Sequence, residues 1–158
     1  MHVIIPQKIL VRYTDEYKAN NLPKIEQIKI NDWIDLYTAK DVYIRHDEHL
    51  LIPLGVSMQL PKGYEAHLAA RSSLFKNYGL ILTNGVGVID ESYCGDNDEW
   101  MASVLCLKNQ NHTDGYQYIP MGSRLVQFRI MRKQPEIEFI EVDSLNNPDR
   151  HGFGSTGR

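Results

Sequence analysis

Apolar positions along this chain recur mainly at every second residue, in short runs broken by Gly, Pro, Asn and Asp. DVYIR (41–45) alternates with Val42 and Ile44 on one face and Tyr43 on the other, the period of a half-buried strand. HLLIPLGVSMQLPKG (49–63) contains an internal proline and ends in Pro-Lys-Gly, which predicts edge strands followed by a turn. EAHLAA (65–70), GLILTNG (79–85), WMASVLCLKN (100–109), SRLVQFRIM (123–131) and IEFIEV (137–142) continue the pattern. No segment sustains a 3.6-residue apolar period. The nearest is ARSSLFKNYG (70–79), where Ser72 is expected to cap a short helix. Many short strands, frequent turns and at most one short helix predict an all-β fold, a jelly-roll-like barrel or sandwich.

The last stretch differs. SLNNPDRHGFGSTGR (144–158) is rich in Gly, Asn and Ser and cannot order itself by burying apolar surface. The expected organisation is one β domain over 1–143 and a flexible C-terminal arm over 144–158. A length of 158 residues suits a single domain with a real core. The net charge of −3 gives no basic field for generic nucleic-acid binding, yet leaves room for a small anion held by a few gathered arginines. Cys94 and Cys106 lack metal-ligand spacing and read as reduced thiols. VIIPQKILV near the start is broken by Pro6, Gln7 and Lys8, unlike a signal peptide, and no apolar run approaches membrane-spanning length. The expectation is a cytoplasmic protein without membrane or nucleic-acid partners.

Several polar groups stand where strand packing does not ask for them. NGVGVIDESYCG (84–95) carries Asp90, and Tyr93 three residues later, after an apolar pair, Val88 and Ile89, expected to be buried. IDLYTAKD (34–41) places Asp35 between Ile34 and Leu36; ARSSLF (70–75) places Arg71, Ser72 and Ser73 after an apolar strand; GSRLVQF (122–128) places Arg124 and Gln127 inside one. Taken singly, each has a structural explanation: a turn cap, a helix end, an amide facing water. The tail adds Arg150, Phe153, Ser155 and Thr156, with glycines that free backbone N–H groups for an anion.

Together and in this order, these stretches resemble the five motifs of the homotrimeric dUTPases, from about residue 33 to the C-terminus. The similarity is greatest to the branch from Gram-positive bacteria and their phages, in which GDNDxW follows the third motif. The resemblance implies hydrolysis of dUTP to dUMP and pyrophosphate, with Asp90 taking a proton from the water that attacks the α-phosphorus. Such general-base help is worth roughly 10²–10⁴-fold. It implies that Tyr93 packs under the deoxyribose and leaves no room for a 2′-hydroxyl. It places uracil against a hairpin from Leu80 to Ile89, with Asn84 assisting, main chain approached closely at Gly85 and Gly87, and Met101 lining the pocket. Arg71, Ser72, Ser73 and Gln127 correspond to residues around the α- and β-phosphates. Arg150, Ser155 and Thr156 correspond to the γ-phosphate grip, and Phe153 to the aromatic that covers the base on closure.

Mg²⁺ is implied as a cofactor riding on phosphate oxygens and water, with no direct protein ligand. Asp35 is assigned either to a metal-bound water or to tying neighbouring segments together. A homotrimer with shared sites is implied by the resemblance alone. Two departures stand out: the tail is two residues shorter between Arg150 and Phe153 than in the common pattern, and the third motif carries an acidic CGDNDEW whose Trp100 is an alternative base-covering lid. The competing activity is a dCTP deaminase, or bifunctional deaminase–dUTPase, of the same fold. It needs an acid near the base ring, for which Glu91 is the nearby candidate, expected to alternate away from Asp90. A dUTP-binding regulatory protein is the alternative from a different class.

Overall fold

The computed structural model describes residues 6–108 and 112–150. β1 (Leu10–Tyr13) leads into a five-residue helix, α1 (Asp15–Ala19), which the apolar pattern did not predict. One turn is too short to show a period. Its signal is local: Thr14 accepts the Tyr17 N–H at 3.2 Å, and Asp15 and Glu16 sit at the positive end of the turn. Then come β2 (Ile34–Tyr37), β3 (Val42–Arg45), β4 (His49–Pro53), β5 (Val56–Gln59) and β6 (Tyr64–Ala70). A short helix α2 (Leu74–Tyr78) precedes β7 (Leu80–Leu82) and β8 (Val86–Ile89). β9 (Met101–Cys106), β10 (His112–Thr113), β11 (Tyr116–Ile119) and β12 (Arg124–Arg132) complete the regular structure of the described residues. The architecture is nearly all-β and jelly-roll-like, with strands in the orders β2-β12-β6-β8, β4-β9-β7, β10-β11-β3 and β1-β5.

Alternation explains what each strand buries. In β3, Val42 and Ile44 face inward while Tyr43 faces out and stacks on Tyr118, ring centroids 4.9 Å apart. In β9, Ala102, Val104 and Cys106 are inside. β4 and β5 each pair with one neighbour only, as the internal proline predicted. The core closes around Phe128 of β12 and Trp100, whose rings meet edge to face at 5.3 Å and 84°. Neither Cys94 nor Cys106 is in a disulfide; Cys94 is exposed and Cys106 buried, where burial pushes its thiol pKa up.

Three expectations are corrected. The helix of ARSSLFKNYG has Ser73, not Ser72, at its cap position, and Ser73 makes no side-chain capping bond. IEFIEV (137–142) is not a strand: residues 133–150 carry no helix or strand, and Phe139 is 91% exposed. The alternation is present there, but no sheet edge of the same chain receives it. Finally, β7 and β8 do not pair as a hairpin; β7 pairs with β9 and β8 with β6, so the Thr83–Gly85 turn passes between two sheets. Among the described residues no helix is long and apolar enough to cross a membrane.

Gly79 ends α2 with φ +65°, and its N–H bonds the Phe75 carbonyl. A Cβ there would lie 2.1 Å from the Lys108 carbonyl oxygen, in a left-handed conformation that side chains resist. Gly79→Ala is therefore expected to cost about 2 kcal/mol in urea unfolding; unchanged stability would show that the α2–β7 junction tolerates a Cβ.

Candidate active site

Asp90 directly follows β8, and its own hydrogen bonds turn the chain. One carboxylate oxygen accepts the Ser92 N–H at 2.8 Å, and its carbonyl accepts the Tyr93 N–H at 3.1 Å, turning the chain. The side chain lines a cleft of about 570 Å³. Asn84, Gly87, Val88, Ile89, Tyr93 and Met101 line the same cleft, so the structure gathers these predicted residues in one place. Gly87 is tight: a Cβ would lie 3.3 Å from Leu68 Cβ and 3.4 Å from the Asn84 amide nitrogen. Gly85, with φ +65° and open space around it, serves the turn instead. The Tyr93 hydroxyl donates to the Glu99 carbonyl at 3.2 Å, which fixes its ring across the cleft.

The expected burial of this stretch is overturned. Val88 is 61% exposed and the Asp90 side chain 51%. β8 has one face on the core, through Gly87 and Ile89, and one facing out, through Val86 and Val88. Charge, rather than burial, holds the carboxylate. Lys133 Nζ lies 2.5 Å from its second oxygen, and the ion pair together with the Ser92 bond keeps the Asp90 pKa well below the usual carboxylate range. Lys133 was missed by sequence reasoning. It follows an apolar strand like any solvated basic residue, and only the β12–β6–β8 pairing brings it to Asp90.

Trp100 is not a lid. It is 1% exposed and packed on Phe128, with its N–H bonded to the Val56 carbonyl at 2.8 Å through the main chain. The acidic loop before it folds on itself: the Asp98 carboxylate accepts the Gly95 N–H at 2.7 Å, and Glu99 accepts the Gly55 N–H at 2.9 Å. Glu91 does not turn away from Asp90 as continued alternation would require, because β8 stops at Ile89. Its two oxygens take the Gly63 N–H at 2.5 Å and the Lys133 ammonium at 3.2 Å.

A second group lies on the outward face of the β2–β12–β6 sheet. Asp35 sits opposite Gln127, which sits opposite Ala69, in one cross-strand row. Arg71 Nε is 3.0 Å and Arg124 Nη1 3.5 Å from the two Asp35 oxygens, and the Gln127 amide donates to the Ala70 carbonyl at 3.3 Å. Asp35 thus ties three segments together. Ser72 and Ser73 follow Arg71, and among the described residues neither hydroxyl has a hydrogen-bond partner. Within one chain, neither Asp35, Arg71, Ser72, Ser73 nor Gln127 lines the Asp90 cleft. Arg150 is exposed, and Phe153, Ser155 and Thr156 lie outside the described residues.

The donor set favours an anion over a resident cation. Among the described residues no three His, Cys, Asp or Glu side chains converge as a metal cage requires. Both Asp35 oxygens already serve guanidinium groups, whose charge repels a dication.

The chain thus combines a jelly-roll-like fold with a cleft lined by Gly87 and Asp90, and carries a separate group of two arginines on Asp35. The dUTPase family model matches residues 34–157, and the chain belongs to that family. It is 49% identical over 150 residues to the SPβ prophage-derived deoxyuridine 5′-triphosphate nucleotidohydrolase of Bacillus subtilis, covering 95% of this chain and 98% of that protein. The crystal structure of dUTPase from Streptococcus mutans superposes with a TM-score of 0.66 at 27% identity, covering 85% of this chain and 98% of the other. A point mutant of the dUTPase of Staphylococcus bacteriophage 80alpha, determined with dUpNHpp, shares the fold with a TM-score of 0.72 at 20% identity over 96% of this chain and 99% of its own.

If Asp35 and Arg71 form a genuine pair, a double-mutant cycle of Asp35→Ala and Arg71→Ala, read by chemical denaturation, should return a coupling of about 1 kcal/mol. Additive single effects would mean that the ion pair contributes nothing.

Proposed function

We propose that the chain hydrolyses dUTP to dUMP and pyrophosphate, so keeping uracil out of DNA and supplying dUMP, with Asp90 as the proton acceptor. The observation that carries this reading is a carboxylate held ionised in the cleft that Asn84, Gly87, Tyr93 and Met101 line. Water's oxygen bonds to the α-phosphorus, the bond from that phosphorus to the bridging oxygen breaks, and pyrophosphate leaves with the electron pair. The proton goes to Asp90 and then to solvent. Asn84 and the Gly87 main chain hold uracil, and Tyr93 underlies the deoxyribose.

Arg71, Ser72, Ser73 and Gln127 offset phosphate charge. Because these groups do not line the Asp90 cleft of their own chain, a shared site in a homotrimer unites them with it; exposed Val86 and Val88 suit such an assembly. No protein side chain is assigned to Mg²⁺, which, when bound together with the substrate, would supply neutralisation of phosphate charge. Arg150, Ser155 and Thr156 grip the γ-phosphate, and Phe153 covers the base, a role for which buried Trp100 is unsuited. The reaction belongs to the cytoplasm, where nucleotides are made. Deamination is disfavoured because Glu91 is held to the Gly63 turn and does not line the cleft.

Asp90→Ala should reduce pyrophosphate release from dUTP by at least about 10²-fold while dUpNHpp still binds. Undiminished turnover sinks the reading, and ammonia released from dCTP would replace it with the deaminase. Tyr93→Ala should lower the preference for dUTP over UTP by about tenfold; unchanged discrimination would place sugar selection elsewhere.

A further inference from the structure

Lys133 is the first residue after β12, and its main-chain N–H donates to the Gly63 carbonyl at 2.9 Å, just beyond the last β6–β12 pair, Tyr64–Arg132. Gly63 also donates its own N–H to Glu91, 2.5 Å away. One turn residue therefore anchors the lysine backbone with its oxygen and the neighbouring carboxylate with its nitrogen. Between these anchors the ammonium reaches Asp90 at 2.5 Å and Glu91 at 3.2 Å. An isolated surface pair of this kind is weak because two long side chains must be ordered to make it. Here the ordering is already supplied by the Gly63 turn and by a second carboxylate.

We propose that Lys133 is a positioning residue for the reaction: its ammonium, held by Glu91 and Gly63, fixes one oxygen of Asp90 so that the remaining lone pairs face the attacking water. This rests on the reading of Asp90 as proton acceptor. The Ser92 N–H occupies a site on the other oxygen, and a carboxylate has about four lone-pair sites, so the water still finds an acceptor. Lys133 also resets the site. Once Asp90 takes the proton, the adjacent ammonium disfavours the neutral acid, and the proton passes to solvent before the next cycle.

The charged and titratable groups around Asp90 are few. Lys133 comes from the end of β12 and Glu91 from the same turn. Glu65 of β6, next in register to the Ala66–Ile89 pair, is engaged with His67 at 3.4 Å. Glu99 and Tyr93 line the cleft. Lys133 is the one cation paired with Asp90 among the described residues. Removing it raises the Asp90 pKa toward its ordinary value, so activity is lost at a higher pH as acid is added.

The test is the pH profile of kcat and kcat/KM for dUTP in the full chain and in Lys133→Met, Lys133→Arg and Glu91→Gln. Lys133→Met should lower kcat about tenfold through misplacement of the base. KM should move less than about twofold, since no uniform binding is lost. The acid limb should shift upward by about one pH unit, and Lys133→Arg should restore most of both losses. A carbon-13 titration of the Asp90 carboxyl reports the same shift without turnover, and Glu91→Gln, which loosens the ammonium, should move it in the same direction. Superimposable profiles, or an Asp90 titration unmoved in both variants, overturn the inference. If Asp90→Ala keeps full turnover, the reading of Asp90 fails instead, whatever Lys133 does.

Discussion

β12, nine residues long and hydrogen-bonded along both edges, is the constraint on which the polar geometry depends. Its pairing with β2 sets Gln127 opposite Asp35; its pairing with β6 sets Phe128 beside Leu68 and brings its end to the Gly63 turn. β6 in turn carries β8 and so Asp90. A one-residue slip of β12 would send Phe128 to solvent and Gln127 into the core, part Arg71 from Asp35 and carry Lys133 off Asp90. The apolar face that fixes this register therefore fixes the charges too.

Those charges are held in groups of three. Asp35 lies between two guanidinium groups, and Lys133 lies between two carboxylates. Each group keeps a net charge of one sign after pairing: positive for Asp35 with Arg71 and Arg124, negative for Lys133 with Asp90 and Glu91. The first suits phosphate oxygens and the second suits a site from which a proton is withdrawn. Because both are ordered by ladder ends and turns rather than by deep burial, they stay open to ligand and water.

Much of the fold was legible because alternation and burial share one cause. β3 and β9 show inside the pattern their letters show. What failed was information that lies in partners distant along the chain. IEFIEV alternates like a strand, but alternation does not supply an edge to pair with. Trp100 stands in an acidic run that reads as surface, yet the bonds from Glu99 to Gly55 and from Asp98 to Gly95 close that run and send the ring inward. At the site, the resemblance to the family motifs placed Asn84, Gly87, Asp90, Tyr93 and Met101 together, and all five line one cleft. The means of holding Asp90 was not legible. Apolar neighbours suggested burial, whereas a lysine from another strand's end does the holding.

The two thiols divide cleanly between surface and interior. Cys94 directly follows Tyr93, at the edge of the loop whose shape depends on Asp98 and Glu99, while Cys106 is sealed within β9. A thiol-selective fluorophore therefore attaches to a single native position beside Tyr93, which lines the cleft. The chain carries its own labelling handle, and occupancy of the neighbouring cleft becomes readable as an optical signal without an engineered cysteine.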